Sequence, residues 1–329
     1  DVVAVARYDA PIALTDDSRA EVAKSRTIIE GLAGDTVAHY GVSTGFGALA
    51  TRHIPVTARE QLQRSLVRSH AAGSGPEVER EVAPGVTQQL WTFGGTAPGP
   101  VLHGRVGDVF EITLVNDGTI GHSIDFHAGA LAPDEPMRTI APGESLVYRF
   151  TATRAGIWMY HCSTMPMSAH IANGMFGAVV IEPPDLPPVD RSYLLVQSEF
   201  YLGPQGGTVD TAKLTAEQPD AVVFNGYANQ YAARPLEARV GERVRIWVLD
   251  AGPNRATSFH VVGGQFDTVY AEGGYLLRPG TSGSQALALA PAQGGFVELS
   301  FPEAGHYPFV SHVMSDAEAG AHGVLHVTH

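Results

Sequence analysis

The stretch Tyr160-His-Cys-Ser-Thr-Met-Pro-Met-Ser-Ala-His170-Ile-Ala-Asn-Gly-Met175 contains the only cysteine of the chain and three kinds of metal donor. Cys162 offers a thiolate, His170 an imidazole eight positions on, and Met175 a thioether five positions further. Adding His122 from an earlier segment gives two imidazoles, one thiolate and a weak axial thioether, the donor set of a blue-copper electron-transfer site. Soft sulfur favours Cu(I) and imidazole suits Cu(II), so the mixed set serves both oxidation states with little rearrangement. A Cys or a Met taken alone is more often a core residue. Four donors at this spacing point to a metal.

A second centre begins with His161. Neighbouring residues on a strand point to opposite faces, so Cys162 faces one metal while His161 faces another. His127 stands five residues after His122 and turns toward the second centre in the same way. Joined through His161-Cys162, the two metals would lie roughly 12 Å apart, given the Cα step plus two side chains. A catalytic metal with an open position needs a third imidazole. His312, in Phe309-Val-Ser-His-Val-Met314, is the best-placed one.

From about residue 83 the hydrophobic pattern has period 2. Phe110, Ile112 and Leu114 alternate with polar neighbours, as do Leu146, Tyr148 and Phe150, then Val244, Ile246 and Val248. Turn signals such as Asn116-Asp-Gly118 and Ala141-Pro-Gly143 separate the runs. The pattern predicts antiparallel β-sandwiches, divided at Pro183-Pro-Asp-Leu-Pro-Pro188. The two parts read as repeats. Arg105-Val-Gly-Asp-Val-Phe-Glu-Ile112 parallels Arg239-Val-Gly-Glu-Arg-Val-Arg-Ile246, Phe126-His127 parallels Phe259-His260, and Ala155-Gly156 parallels Ala304-Gly305. The second copy lacks the Cys and the Met. Residues 1–82 read instead as helical: Thr15 caps a run from Asp16 to about Glu30 closed by Gly31, and Thr57 with Glu60 has capping-box spacing before Leu62, Leu66 and Val67.

The motifs His122-Ser-Ile-Asp-Phe-His127, His161-Cys162 with His170-Ile-Ala-Asn-Gly-Met175, Thr257-Ser-Phe-His-Val-Val262 and Ser311-His312 resemble those of copper nitrite reductases. The short Cys-to-His loop resembles the neisserial-type branch, and the likeness covers about residues 84–328. It implies a mainly β fold of two tandem cupredoxin-type Greek-key β-sandwich domains, 83–184 and 185–329, after an N-terminal helical segment, 1–82. It implies two coppers per chain. The type 1 copper would take His122, Cys162, His170 and Met175. The type 2 copper would take His127, His161 and His312, the last from a neighbouring subunit of a homotrimer. Asp125 and His260 match the acid–base pair that delivers protons to nitrite, the small-molecule substrate, and a small redox protein would donate the electron. Two alternatives stay open: a laccase-like two-domain multicopper oxidase, and an electron-transfer cupredoxin with a vestigial second site. A laccase needs eight imidazoles in His-x-His pairs, and the sequence has none.

Residues 1–82 resemble another family, the N-terminal region of histidine ammonia-lyase. Tyr40-Gly-Val-Ser-Thr-Gly-Phe-Gly-Ala-Leu49 and Leu62-Gln-Arg-Ser-Leu-Val-Arg-Ser-His-Ala-Ala-Gly73 carry the likeness. Tyr40 matches that family's catalytic tyrosine and His70 an active-site position. The Ala-Ser-Gly triad that forms the lyase's electrophile is absent from the sequence, so lyase activity is not expected.

The net charge of −13 excludes a basic nucleic-acid-binding face. Residues 1–82 hold 9 basic against 11 acidic side chains, so the acidity falls on the later part. No apolar run is long enough for a membrane span, and no signal peptide is present. The resemblance nevertheless implies a periplasmic or secreted protein. The two donor sets should be separable: Cys162→Ala should abolish the blue absorption while a second copper stays bound. Loss of both coppers, measured by metal analysis, would contradict that separation.

Overall fold

The computed structural model describes residues 15–34, 55 and 87–329. The chain divides into two compact units, residues 1–78 and 79–329. In the first unit, helix α1 (Asp16–Gly34) starts at Thr15, whose Oγ1 accepts the Ser18 amide at 3.2 Å. The helix runs past Gly31, where a stop was expected. An isolated glycine costs a helix only about 1 kcal/mol, and it ends one reliably only in the left-handed conformation. Tyr40–Gly47, the Thr57–Glu60 box with Leu62, Leu66 and Val67, and His70 lie outside the described residues.

In the second unit, six strands precede the proline-rich linker: β1 (Leu102–Arg105), β2 (Val109–Val115), β3 (Asp125–Phe126), β4 (Ser145–Thr151), β5 (Gly156–His161) and β6 (Phe176–Glu182). They form a sheet ordered β1-β6-β5-β3 facing the antiparallel pair β2-β4. Alternation in β4 buries Leu146, Tyr148 and Phe150 and exposes the residues between them. These pack with Ile124, Phe126, Val179 and Ile181 into one core. Short helix α2 (Met167–Ala172) links β5 to β6.

After the linker come β7 (Arg191–Phe200), helix α3 (Thr211–Thr215), β8 (Ala221–Phe224), helix α4 (Gln230–Ala233), β9 (Leu236–Arg239), β10 (Arg243–Asp250) and β11 (Thr257–Val261). Strands β12 (Thr268–Ala271), β13 (Gly274–Leu277), β14 (Ala286–Leu289), β15 (Gly294–Ser300) and β16 (Gly305–Ser311) follow. Helix α5 (Met314–Glu318) and β17 (His322–Thr328) complete the chain. Two sheets result, ordered β13-β12-β15-β10-β7-β8 and β14-β11-β16-β17-β9. Val244, Ile246 and Val248 face the core between them, with Phe259, Phe309 and Leu325.

Strand β10 departs from simple alternation, because both of its faces are buried. Its odd residues Trp247 and Leu249 join Ile157, Met159, Val180 and Phe296 in a core shared by the two sandwiches. The backbones approach closely there. A Cβ on Gly294 would stand 2.4 Å from the Ile157 carbonyl oxygen.

Strand register fixes how the two halves correspond. Leu102 lies opposite Val179 and Leu236 opposite Leu325, in parallel pairs of the same kind. Asp125 pairs with His161, and His260 with Val310, the residue that holds the place of His161 when Gly156 is matched to Gly305. The structural counterpart of His260 is therefore Asp125, and that of Phe126 is Val261. The expected match of Phe126-His127 to Phe259-His260 is two residues out of step. A two-residue slip keeps inward residues inward, so a hydrophobic pattern alone cannot detect it.

Strand β2 has β4 on one edge, whereas its counterpart β10 is paired on both edges, with β15 and β7. Among the described residues no strand occupies the other edge of β2. A cavity of about 830 Å³ lies there, lined by Trp91, Phe93, Ile112 and Leu114 and reaching His122 and Met175.

The shared core is bordered by a buried ion pair. Arg245 Nε donates to Glu298 Oε1 at 2.7 Å, with the two residues 5% and 1% exposed. Removing one partner strands a buried charge, so Glu298→Ala should cost about 3–5 kcal/mol of unfolding free energy. Denaturant titration checks this, and a loss below about 1 kcal/mol would mean that solvent reaches the site.

Candidate metal centres

Strand β5 positions both donor sets. Its odd residues Ile157 and Met159 face the core shared with the second sandwich, while Trp158 and Tyr160 face the core of the first. The alternation continues through the strand end, placing Cys162 in the first core and His161 on the opposite face. Edge pairing with β3 and β6 holds His161 against Asp125 on one side and Phe176 on the other.

On the inner side, Cys162 Sγ lies 3.2 Å from His170 Nδ1 and 3.9 Å from His122 Nδ1, and the two imidazole nitrogens are 3.3 Å apart. Cys162 is fully buried, and His122 and His170 are 8% and 3% exposed. Short backbone bonds close the loop that carries the donors: the Cys162 amide donates to the Met175 carbonyl, and the Met175 amide donates to the His170 carbonyl, both at 3.1 Å. Met175 is buried in the same core as Cys162. The Ser123 amide donates to Cys162 Sγ at 3.4 Å. The Trp91 ring packs 4.8 Å from His170 and 5.9 Å from His122. Burial holds the His170 pKa below its ordinary value, which keeps the imidazole neutral.

On the outer side, His127 Nε2 and His161 Nε2 face each other at 3.0 Å, with Asp125 Oδ2 at 3.7 Å from His127 Nε2. His161 Nδ1 donates to the Cys162 carbonyl at 3.0 Å. A carbonyl can only accept, so the proton of a neutral His161 sits on Nδ1 and its Nε2 lone pair points at the centre. His127 has its pKa lowered, first by burial and then by His161, with Asp125 opposing. A lowered pKa keeps this ring unprotonated until the pH falls below the ordinary histidine range, and metal binding requires that form.

Both groups fit a metal by their own chemistry. The donor atoms of His122, Cys162 and His170 all lie within 4.8 Å of one another, and so do those of Asp125, His127 and His161. Thiolate with two imidazoles suits copper. His260 and His312 belong to neither group. They form a separate pair on the second sandwich, ring centroids 5.4 Å apart, and His260 Nδ1 donates to the Gln285 carbonyl. Of the expected site residues, one chain thus gathers His122, Cys162 and His170 with Met175 nearby, and Asp125, His127 and His161, but not His260 or His312. Trp91, Ser123 and the Cys162 carbonyl had no legible role in the sequence, because none is itself a donor of the predicted type.

Paired β-sandwiches carrying a thiolate–imidazole cluster define a cupredoxin-type protein. The chain belongs to the copper-containing nitrite reductase family. It is 39% identical over 255 residues to the copper-containing nitrite reductase of Neisseria gonorrhoeae, covering 74% of this chain and 64% of the relative. The chain thus spans less than two thirds of that relative's length. It is 33% identical to the enzyme of Alcaligenes xylosoxydans xylosoxydans, covering 72% of this chain and 79% of that one. Among solved structures, the copper nitrite reductase of Nitrosomonas europaea superposes with a TM-score of 0.69 at 36% identity, over 78% of this chain and 91% of the other. A multicopper oxidase structure superposes with a TM-score of 0.66 at 30% identity, over 75% and 85%. The multicopper oxidase family model matches residues 77–186 and the aromatic amino acid lyase model residues 1–87. Among the described residues no helix is long and apolar enough to cross a membrane.

The packing of Trp91 gives a direct reading of the inner site. Adding Cu(II) to metal-free protein should quench tryptophan emission, and Trp91→Phe should remove most of that quenching. Equal quenching in the variant would place the copper elsewhere.

Proposed function

We propose that this chain reduces nitrite to nitric oxide, NO₂⁻ + e⁻ + 2H⁺ → NO + H₂O, with two coppers per chain. When bound, copper supplies one-electron redox chemistry at His122, Cys162, His170 and Met175, and Lewis-acid binding of an anion at the outer centre. The observation that carries the reading is the adjacency of the two donor sets. Cys162 belongs to one and His161 to the other, so a single peptide unit joins them.

The remaining residues supply what an electron alone cannot. Nitrite must lose an oxygen as water, which takes two protons. Asp125 stands beside His127 with its side chain 24% exposed, wet enough to exchange protons with solvent and close enough to hand one on. His260 has its Nδ1 engaged by a carbonyl, which leaves Nε2 for the second transfer. The outer centre has two imidazoles from one chain. His312 of the partner subunit would supply the third, and His260 would arrive with it, since the two rings touch on the same sandwich. This requires a closed assembly, for which the family resemblance implies a homotrimer. The family likeness also supports an extracytoplasmic location and a small redox-protein electron donor.

The oxidase alternative lacks its ligands, because no His-x-His pair occurs in the sequence. The carrier alternative leaves three convergent outer donors without a role. The test is an anaerobic assay with a competent reductant on protein carrying two coppers per chain. Nitric oxide should form, and Asp125→Asn should lower kcat by about a hundredfold or more with copper content unchanged. Fully loaded protein that makes no nitric oxide would overturn the assignment.

A further inference from the structure

The second sandwich repeats the backbone frame of the inner donor loop with different side chains. The backbone bonds that close the donor loop recur there. The Ser311 amide donates to the Ala321 carbonyl and the Ala321 amide to the Asp316 carbonyl, both at 2.9 Å, as Cys162 does to Met175 and Met175 to His170. The Asn116 amide donates to Glu144, and the Asp250 amide to Gln293, both at 3.0 Å. With the register of β11 on β16, these bonds superimpose the two sites residue by residue. Thr257 takes the place of His122, Ser311 of Cys162, Asp316 of His170, Ala321 of Met175 and Asp250 of Asn116.

Apart from Ala321 the replacements carry side-chain oxygens, and at least one oxygen of each has no partner. Thr257 Oγ1, Ser311 Oγ, Asp250 Oδ2 and Asp316 Oδ2 are buried without a hydrogen bond, as are both side-chain atoms of Gln197. Gln197 lies directly opposite Asp250 on the neighbouring strand, and so on the same face. These residues are at most 2% exposed. One orphaned buried polar group costs about 1–3 kcal/mol, and this many among residues that match one donor set call for a ligand.

Charge points the same way. Glu199, close by, is satisfied by the Tyr201 hydroxyl and the amides of Asn254 and Arg255. Arg255 Nε pairs with Asp316 Oδ1 at 2.7 Å. Glu199, Asp250 and Asp316 are thus three buried carboxylates, of which Asp316 pairs with the Arg255 guanidinium. Burial first, and then Glu199 and Asp316, push the Asp250 pKa well above the carboxylate range, while the Gly252 and Thr257 amides oppose them.

We propose that Asp250, Thr257, Ser311, Asp316 and Gln197 bind a hard cation, calcium by choice, at the position where the first sandwich holds its blue copper. Two carboxylates, two hydroxyls and an amide carbonyl provide five oxygens. Calcium takes six to eight oxygen ligands, and copper is disfavoured without nitrogen or sulfur. The role is structural: the ion neutralises the buried acids that fill a vacated metal pocket.

The test is equilibrium dialysis of the full copper-loaded chain against radiolabelled calcium, together with thermal unfolding. Wild type should bind one calcium per chain. Its Tm should rise by about 5 °C at roughly a hundred times the Kd. Asp250→Asn and Ser311→Ala should each weaken binding at least tenfold while the blue absorption stays intact. Two results would overturn the proposal. One is no calcium uptake with an unchanged Tm, as expected if Asp250 is simply protonated beside buried water. The other is calcium binding that survives both variants, which would place the ion elsewhere. If either variant fails to fold, wild-type uptake and the other variant still decide.

Discussion

Two metal centres can share one strand because successive side chains on it point to opposite faces. At the end of β5 this geometric rule puts Cys162 inside the first sandwich and His161 outside it. The alternation brings two different donor sets close while keeping their surroundings distinct. The inner set is dry, closed by backbone bonds and capped by Trp91. The outer set is only partly covered, which a substrate and its protons require. The single bond from His161 Nδ1 to the Cys162 carbonyl serves both sides, fixing the imidazole tautomer with the peptide that joins the sets.

This arrangement needs a strand end that does not move. Pairing on both edges of β5 and the shared core against Trp247, Leu249 and Phe296 provide it. The same core explains why β10 is buried on both faces and why glycine stands at 294, where backbones meet. The second sandwich is therefore a brace for the first. It also carries His260 and His312 on a face separate from the outer centre of its own chain. Under the proposed reading a neighbouring subunit would bring this pair to the outer centre.

Much of this could be read from residue types. Thiolate, imidazole and thioether at fixed spacing are rare in combination, so the clustering of His122, Cys162 and His170 was legible, as was that of His127 with His161. What the sequence hid has physical reasons. Register slips of two residues leave the hydrophobic pattern unchanged, so the true partner of His260 emerged only from strand pairing. Burial on both faces of β10 comes from packing between sandwiches, which no single-strand pattern encodes. The oxygen cluster around Asp250 was invisible for a third reason. Ser, Thr and Gln carry no metal signature, and they become conspicuous only when buried without partners. Helix α1 extended past Gly31 because a glycine permits a stop without imposing one.

On the proposed reading one strand end serves two distinct coppers. Electron paramagnetic resonance on the fully loaded Cu(II) protein, with copper counted per chain, tests it most directly. Two signals of equal weight are predicted, one with the narrow hyperfine splitting and strong visible absorption of a thiolate-bound copper and one without them. A single signal at one copper per chain would contradict the account.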